Sequence, residues 1–256
     1  GGTIKNFTRG VVAPQPIYGS PTLNINTMLF DENVGAVDLV YPAPGTVITN
    51  NIVVGHGGFI VQYPNWLTIS NNTVNLNAGM WDTPPLPGWG RSAILTIGGT
   101  DVYIENNTVK FYKGTADSQH GIITNISSYV LILNNRLYAT RFARLGIEAG
   151  GSQNKITIKY NEIYSSGAGL CNRQPIPPSP PTPNSPIGLK VSYTPTLYVL
   201  NNIFAGDLAN EIMASDIGGG EVKNNIFYYP SSDPIDVLYS PNLVTTPNTY
   251  SDTCPI

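Results

Sequence analysis

The chain has 256 residues, of which 41% are hydrophobic and 11% charged, with a formal net charge of −3 at neutral pH. Charge is well below the roughly 25% of an average soluble domain, and its scattered signs give no basic stripe for nucleic acid and no polybasic patch for a membrane surface. No apolar run reaches the roughly 18–20 residues of a spanning helix, so neither a nucleic-acid partner nor a membrane span is expected.

The first residues, Gly1-Gly2-Thr3-Ile4-Lys5-Asn6-Phe7, read as a strand with no cap ahead of it. A repeat then runs through the chain, marked by the pairs Asn50-Asn51, Asn71-Asn72, Asn106-Asn107, Asn134-Asn135, Asn201-Asn202 and Asn224-Asn225. Ile25-Asn26 and Tyr160-Asn161 are degenerate copies that keep the second Asn. Three residues before that second Asn stand Leu23, Ile48, Ile69, Ile104, Ile132, Ile158, Val199 and Val222. Two residues after it stand Met28, Val53, Val74, Val109, Leu137, Ile163, Phe204 and Phe227. Five copies are also apolar five residues before it, at Leu67, Val102, Val130, Ile156 and Leu197.

Strand parity gives this pattern a physical meaning. Residues five and three before the origin share one face of a strand, whereas the step from three before to two after is odd. The alternation therefore breaks in between, and a bend at the first Asn supplies the break, because Asn tolerates the left-handed conformation. The second Asn then points inward. Stacked inward amides can hydrogen-bond from coil to coil, which satisfies groups otherwise costly to bury. The expected ladder is Asn26, Asn51, Asn72, Asn107, Asn135, Asn161, Asn202 and Asn225.

Successive origins lie 25, 21, 35, 28, 26, 41 and 23 residues apart. The short intervals are the bare length of a three-strand coil; the long ones carry excursions. Residues 80–91 contain Trp81-Asp82-Thr83-Pro84-Pro85-Leu86-Pro87-Gly88-Trp89, and 172–187 hold a Pro-rich run from Pro175 to Pro186. Matching coils flank both, so these are loops thrown out from one solenoid and not linkers between domains. Residues 1–256 read as a single domain, with coils recognisable over about 20–230 and a Pro- and Ser-rich tail over 229–256.

On these residues the chain resembles the right-handed parallel β-helix superfamily, the pectate-lyase-like solenoids. The resemblance implies an all-β fold of about 8–10 coils with an Asn ladder and Pro-rich excursions. Gly55-His56-Gly57 is similar to a polygalacturonase motif, but no Asn-Thr-Asp, Asp-Asp or Arg-Ile-Lys accompanies it. No compact acidic calcium cluster of the pectate lyase kind is present either. His56 is read as a turn or core-edge histidine, and no metal or cofactor is expected.

Register gives the catalytic candidates. Asp82 and Asp117 each lie ten residues after a ladder Asn, with His120 close behind and Arg141, Arg144 and Glu148 in the next coil. Equal offsets place the two carboxylates on one side of the solenoid. Beside Trp81 and Trp89, such a pair would suit a glycosidase or a sugar-binding groove; the alternative is a solvated loop pinned by Trp–Pro contacts. Cys171 and Cys254, both in loop-like sequence, are expected to form a disulfide worth up to about 4–5 kcal/mol. Asn6, Asn71, Asn106 and Asn125 head N-glycosylation sequons, and Asn71 and Asn106, as first residues of their pairs, should face solvent.

The functional expectation is a secreted structural or surface solenoid that assembles head to tail through uncapped ends, with self and glycans as its partners. The alternatives are a carbohydrate-active enzyme at Asp82, Asp117 and His120, or a glycan-binding adhesin using Trp81 and Trp89.

Overall fold

A computed structural model describes residues 1–13, 22–77, 91–112, 119–139, 145–152, 154–165, 187–206, 208, 210–228, 230 and 233–252. All regular structure among them is β, and all strand pairing is parallel. The strands fall into three ladders visited in strict rotation. The first face stacks ten strands, from Gly2–Lys5 and Met28–Asn33 up to Ile226–Tyr228 and Thr249–Ser251. The second runs from Arg9–Ala13 to Ile235–Leu238, and the third from Asn24–Asn26 to Leu243–Val244. Two long strands, Arg91–Glu105 and Gln119–Leu133, pass from the second face to the third without interruption and join them into one sheet.

The apolar positions of the repeat line the inside. Ile48, Ile69, Ile104, Ile132, Ile158, Val199 and Val222 are fully buried on the third face, and Val53, Val74, Val109, Phe204 and Phe227 on the first. They belong to one contiguous core, each side chain contributing about 1.5–3 kcal/mol relative to exposure. Toward the C-terminal end the inward column becomes aromatic, with Phe204 stacked on Phe227 at 5.3 Å and Phe227 on Tyr250 at 5.2 Å.

Between the third and first faces each coil turns at the residue before the ladder position. Asn50, Asn71, Asn106, Asn134, Asn201 and Asn224 all have φ between 52° and 57°, and Tyr160 takes the same conformation at 56°. The following Asn is buried and makes a repeated set of bonds. The Asn107 backbone N–H and Nδ2 both donate to Asn135 Oδ1 at 3.0 Å, and Asn107 Nδ2 also donates to the Ile69 carbonyl at 2.9 Å. The same geometry holds at Asn51, Asn72, Asn135, Asn161, Asn202 and Asn225.

Both ends of the ladder differ from the expectation. Asn26 is exposed, and its Oδ1 accepts a bond from Asn50 Nδ2 at 3.2 Å outside the core. The register pairs Leu29 with Ile52, so Met28 stands at the ladder position, where its N–H donates to Asn51 Oδ1 at 2.9 Å. The bend there is Thr27, with φ 57°. Asn26 lies two residues before the true ladder position, a distance that keeps strand parity, so Leu23 and Met28 match the apolar pattern as Ile25 and Phe30 do. At the other end the ladder continues to Asn248, whose Oδ1 accepts from Asn225 N and Nδ2 at 3.0 and 2.9 Å. The stretch read as a tail thus forms another coil, through Ile235–Leu238, Leu243–Val244 and Thr249–Ser251.

Close packing at the corner between the first and second faces accounts for the glycines around His56. A Cβ on Gly57 would lie 2.5 Å from the Val34 carbonyl oxygen, and one on Gly58 would overlap that of Ala93. Two hydroxyls inside the core, Thr96 Oγ1 and Thr124 Oγ1, are buried without a hydrogen-bond partner. Their residues pair in register on adjacent strands.

Three stability outcomes follow. Asn135→Ala leaves the Asn107 N–H, the Ile104 carbonyl and the two adjoining amides short of partners. At about 1–3 kcal/mol for each buried unsatisfied group, it should lower the unfolding free energy by more than about 3 kcal/mol in a denaturant titration. Asn26→Ala, at the exposed position, should change it by less than about 0.5 kcal/mol. Conversely, Thr96→Val keeps the volume and removes an unpaired hydroxyl, so thermal unfolding should shift upward, by the equivalent of about 1 kcal/mol.

Candidate functional site

Trp81, Asp82, Trp89, Asp117, Arg141, Arg144, Cys171 and Cys254 lie outside the described residues. His120 is half-buried on the strand Gln119–Leu133, in register with Ser92 below and Leu145 above. Glu148 faces the next coil and pairs with Lys190 at 3.6 Å. His56 sits half-buried at a corner, its backbone N–H donating to the Asn33 carbonyl at 3.1 Å, as a core-edge residue would. Of the sequon residues, Asn6, Asn71 and Asn106 are exposed and Asn125 is half-buried.

A feature the sequence did not announce lies at the corner between the second and third faces. The register there aligns Tyr41, Tyr63, Gly98, Ile126, Gly151, Tyr193, Asp216 and Tyr239 in one row. Every one of them has a left-handed φ, from 51° to 63°. Three residues further along each of three coils lies a second left-handed row, Trp66, Asp101 and Tyr129, at 58°, 52° and 53°. The aromatic members are all exposed, from 46% at Tyr63 to 83% at Tyr239. Tyr41 stacks on Tyr63 at 4.6 Å, and the Tyr63 ring lies over Gly98, where a Cβ would come within 2.6 Å of it. With coils about 4.8 Å apart, the rings are set along the solenoid axis on some coils and not on others, with Gly98, Ile126 and Gly151 between Tyr63 and Tyr193 and Asp216 between Tyr193 and Tyr239.

Its signal was present in the repeat. Counted back from the ladder Asn, the corner falls nine or ten residues earlier. Gly, Gly and Asp at that offset mark a left-handed site, and four tyrosines share it. A tyrosine is not an expected occupant of such a site, so the column does not stand out by propensity.

A second surface lies on the outer first face. Asn106, Thr108, Asn134, Arg136, Tyr160 and Glu162, with the edge of buried Asn107, line a groove of ≈ 320 Å³. Arg136 Nε donates to Glu162 Oε2 at 3.2 Å, and the Tyr164 hydroxyl donates to the same oxygen at 3.0 Å. Tyr164 also stacks on Tyr138 at 5.2 Å, and Lys110 Nζ stands 6.0 Å from the Tyr138 ring centroid. Burial, and then the neighbouring Glu162 carboxylate, push the Tyr164 phenol well above its ordinary pKa of 10.0. It therefore stays protonated at neutral pH and acts as a hydrogen-bond donor, not as a base.

The sign of this shift fixes a pH dependence. A phenol whose pKa is raised by folding contributes stability in full below the unfolded value and loses it as pH rises through the folded one. Thermal melts across alkaline pH should therefore show a steeper loss of stability above pH 10.0 in the wild type than in Tyr164→Phe.

Comparison with known proteins agrees with this geometry. The family model described as right handed beta helix region matches residues 88–254. No curated protein and no solved structure matches the chain. The matched segment covers more than half of the sequence and coincides with coils that pair one on another through both long strands: the chain belongs to the right-handed β-helix family.

Proposed function

We propose that the chain is an extracellular surface solenoid that holds polysaccharide, without cleaving it, along the aromatic corner. One observation carries the reading. Tyr41, Tyr63, Trp66, Tyr129, Tyr193 and Tyr239 are all left-handed and all among the exposed large hydrophobics. The left-handed conformation costs an ordinary L-residue roughly 1–2 kcal/mol, and it is a true outlier for bulky side chains. Burial cannot offset that cost where the rings remain in solvent. Gly or Asn would fold more cheaply at each position, so the rings are best explained by what they contact. Rigid aromatic rings with a polar tip give large contact area at small entropic cost. A row of them suits the repeating apolar faces of a sugar polymer.

The test exploits the strain. Substituting Trp66, Tyr129, Tyr193 and Tyr239 together by Asn, which fits the left-handed conformation, should raise stability by up to about 1 kcal/mol per site. It should also abolish co-sedimentation with insoluble polysaccharides such as cellulose, chitin or cross-linked pectin. Retention of full binding by the stabilised variant, or no binding by the wild type across that panel, would refute the proposal. The enzyme alternative is separable in the same assay: with Asp82→Asn and Asp117→Asn, release of reducing ends would vanish while binding survived.

Head-to-tail assembly is a second reading. Gly2–Lys5 and Thr249–Ser251 each pair with a single neighbour among the described residues, and where those edges are left open a second copy could continue the ladders. Sedimentation at rising concentration should then show growing rods; a monomer throughout would exclude it.

A further inference from the structure

The first-face groove is bounded below by a sequon. Asn106 is exposed at a left-handed bend with φ 56°, followed by Asn107 and Thr108. The groove starts at this residue and passes Asn134 to reach Tyr160, in the same bend position two coils on. Its floor is carboxamide, hydroxyl and charged side chains, and its far end is the ring of Tyr160, 53% exposed. Tyr160 stands where six other coils carry Asn, so a ring has been placed at a site that prefers an amide. A polar trough with one aromatic platform fits a short saccharide. The remaining sequons lack this setting. Asn71 is exposed at the same bend one coil below but does not line the groove. At Asn125 the sequon hydroxyl is buried, with Ser127 Oγ donating back to the Asn125 carbonyl at 3.3 Å.

We propose that Asn106 carries an N-linked oligosaccharide whose first sugars lie in this groove, between Arg136 and the Tyr160 ring. In the modification, Asn106 Nδ2 forms a bond to C1 of the reducing-end sugar of a lipid-diphosphate-linked oligosaccharide. The bond from C1 to the diphosphate oxygen breaks, the amide loses one proton to the base of the host transferase, and the lipid diphosphate leaves. No oxidation state changes. The inference rests on the extracellular part of the proposed function and on nothing at the aromatic corner. Docked in this way, the glycan spans the three coils that line the groove.

The experiment expresses the whole chain behind a secretory leader in a cultured eukaryotic cell line, with Thr108→Val and Tyr160→Asn made singly and together. Thr108→Val removes the sequon while keeping Asn106 and the bend, and made in bacteria it should melt at the same temperature as the wild type. Glycopeptide mapping of the secreted wild type should find Asn106 occupied. The secreted wild type should melt above secreted Thr108→Val, and that difference should disappear in the Tyr160→Asn background. An unmodified Asn106 would overturn the proposal, and so would an occupied Asn106 whose contribution to the melting temperature is zero or survives Tyr160→Asn.

Discussion

The column of buried asparagine side chains is the interaction on which the rest of the structure depends. At each rung one carboxamide oxygen takes two donors from the coil before it, and the nitrogen donates to a backbone carbonyl and to the coil after it. A buried amide in this position costs free energy unless every bond is made. Only one spacing and one register make them all, so the ladder selects against coils slipped by a residue. A one-residue slip would also turn every core side chain outward. The hydrophobic core favours compaction, and the amide column determines how the compact coils are aligned.

With alignment fixed along one edge, the other two corners are free to vary. Excursions leave between rungs as long as 41 residues apart without disturbing the coil that follows, since Asn161 and Asn202 bond as closely as neighbours 21 residues apart. The same freedom permits the left-handed aromatic corner. Its strain is carried by a scaffold whose stability comes from elsewhere, which is the usual circumstance in which a costly conformation persists. Low overall charge is consistent with this division: ion pairs such as Lys5–Asp31 and Lys223–Glu221, both at 2.7 Å, lie outside the apolar core and apart from the amide column.

Fold and ladder were largely legible in the sequence because the interaction that sets them uses a rare residue pair at a constrained position. Where the pair decays, legibility goes with it. Met28 carries no amide, so its coil was anchored on Asn26, two residues early. Asn248 follows a proline, and Thr245 stands where other coils place an aliphatic residue, so the last coil was read as tail although its backbone pairs like the rest. The surface was far less legible. The aromatic corner depends on a backbone conformation that tyrosine disfavours, and no propensity scale points to it. The expected site at Asp82, Asp117 and the flanking tryptophans lies outside the described residues. The groove at Asn106 needed the register to bring Tyr160, Arg136 and Glu162 together from three different coils.

Native-state hydrogen exchange tests the central claim most directly. If the amide column holds the coils in register, the backbone N–H groups of Asn51, Asn72, Asn107, Asn135, Asn161, Asn202 and Asn225, together with their carboxamide protons, should exchange only through global unfolding. Their exchange free energies should match one another and exceed those of the corner residues Tyr63 and Tyr193. Rungs that exchange at the rate of those corners, or that differ among themselves by several kcal/mol, would show that the column is a consequence of the stacked core and not the interaction that aligns it.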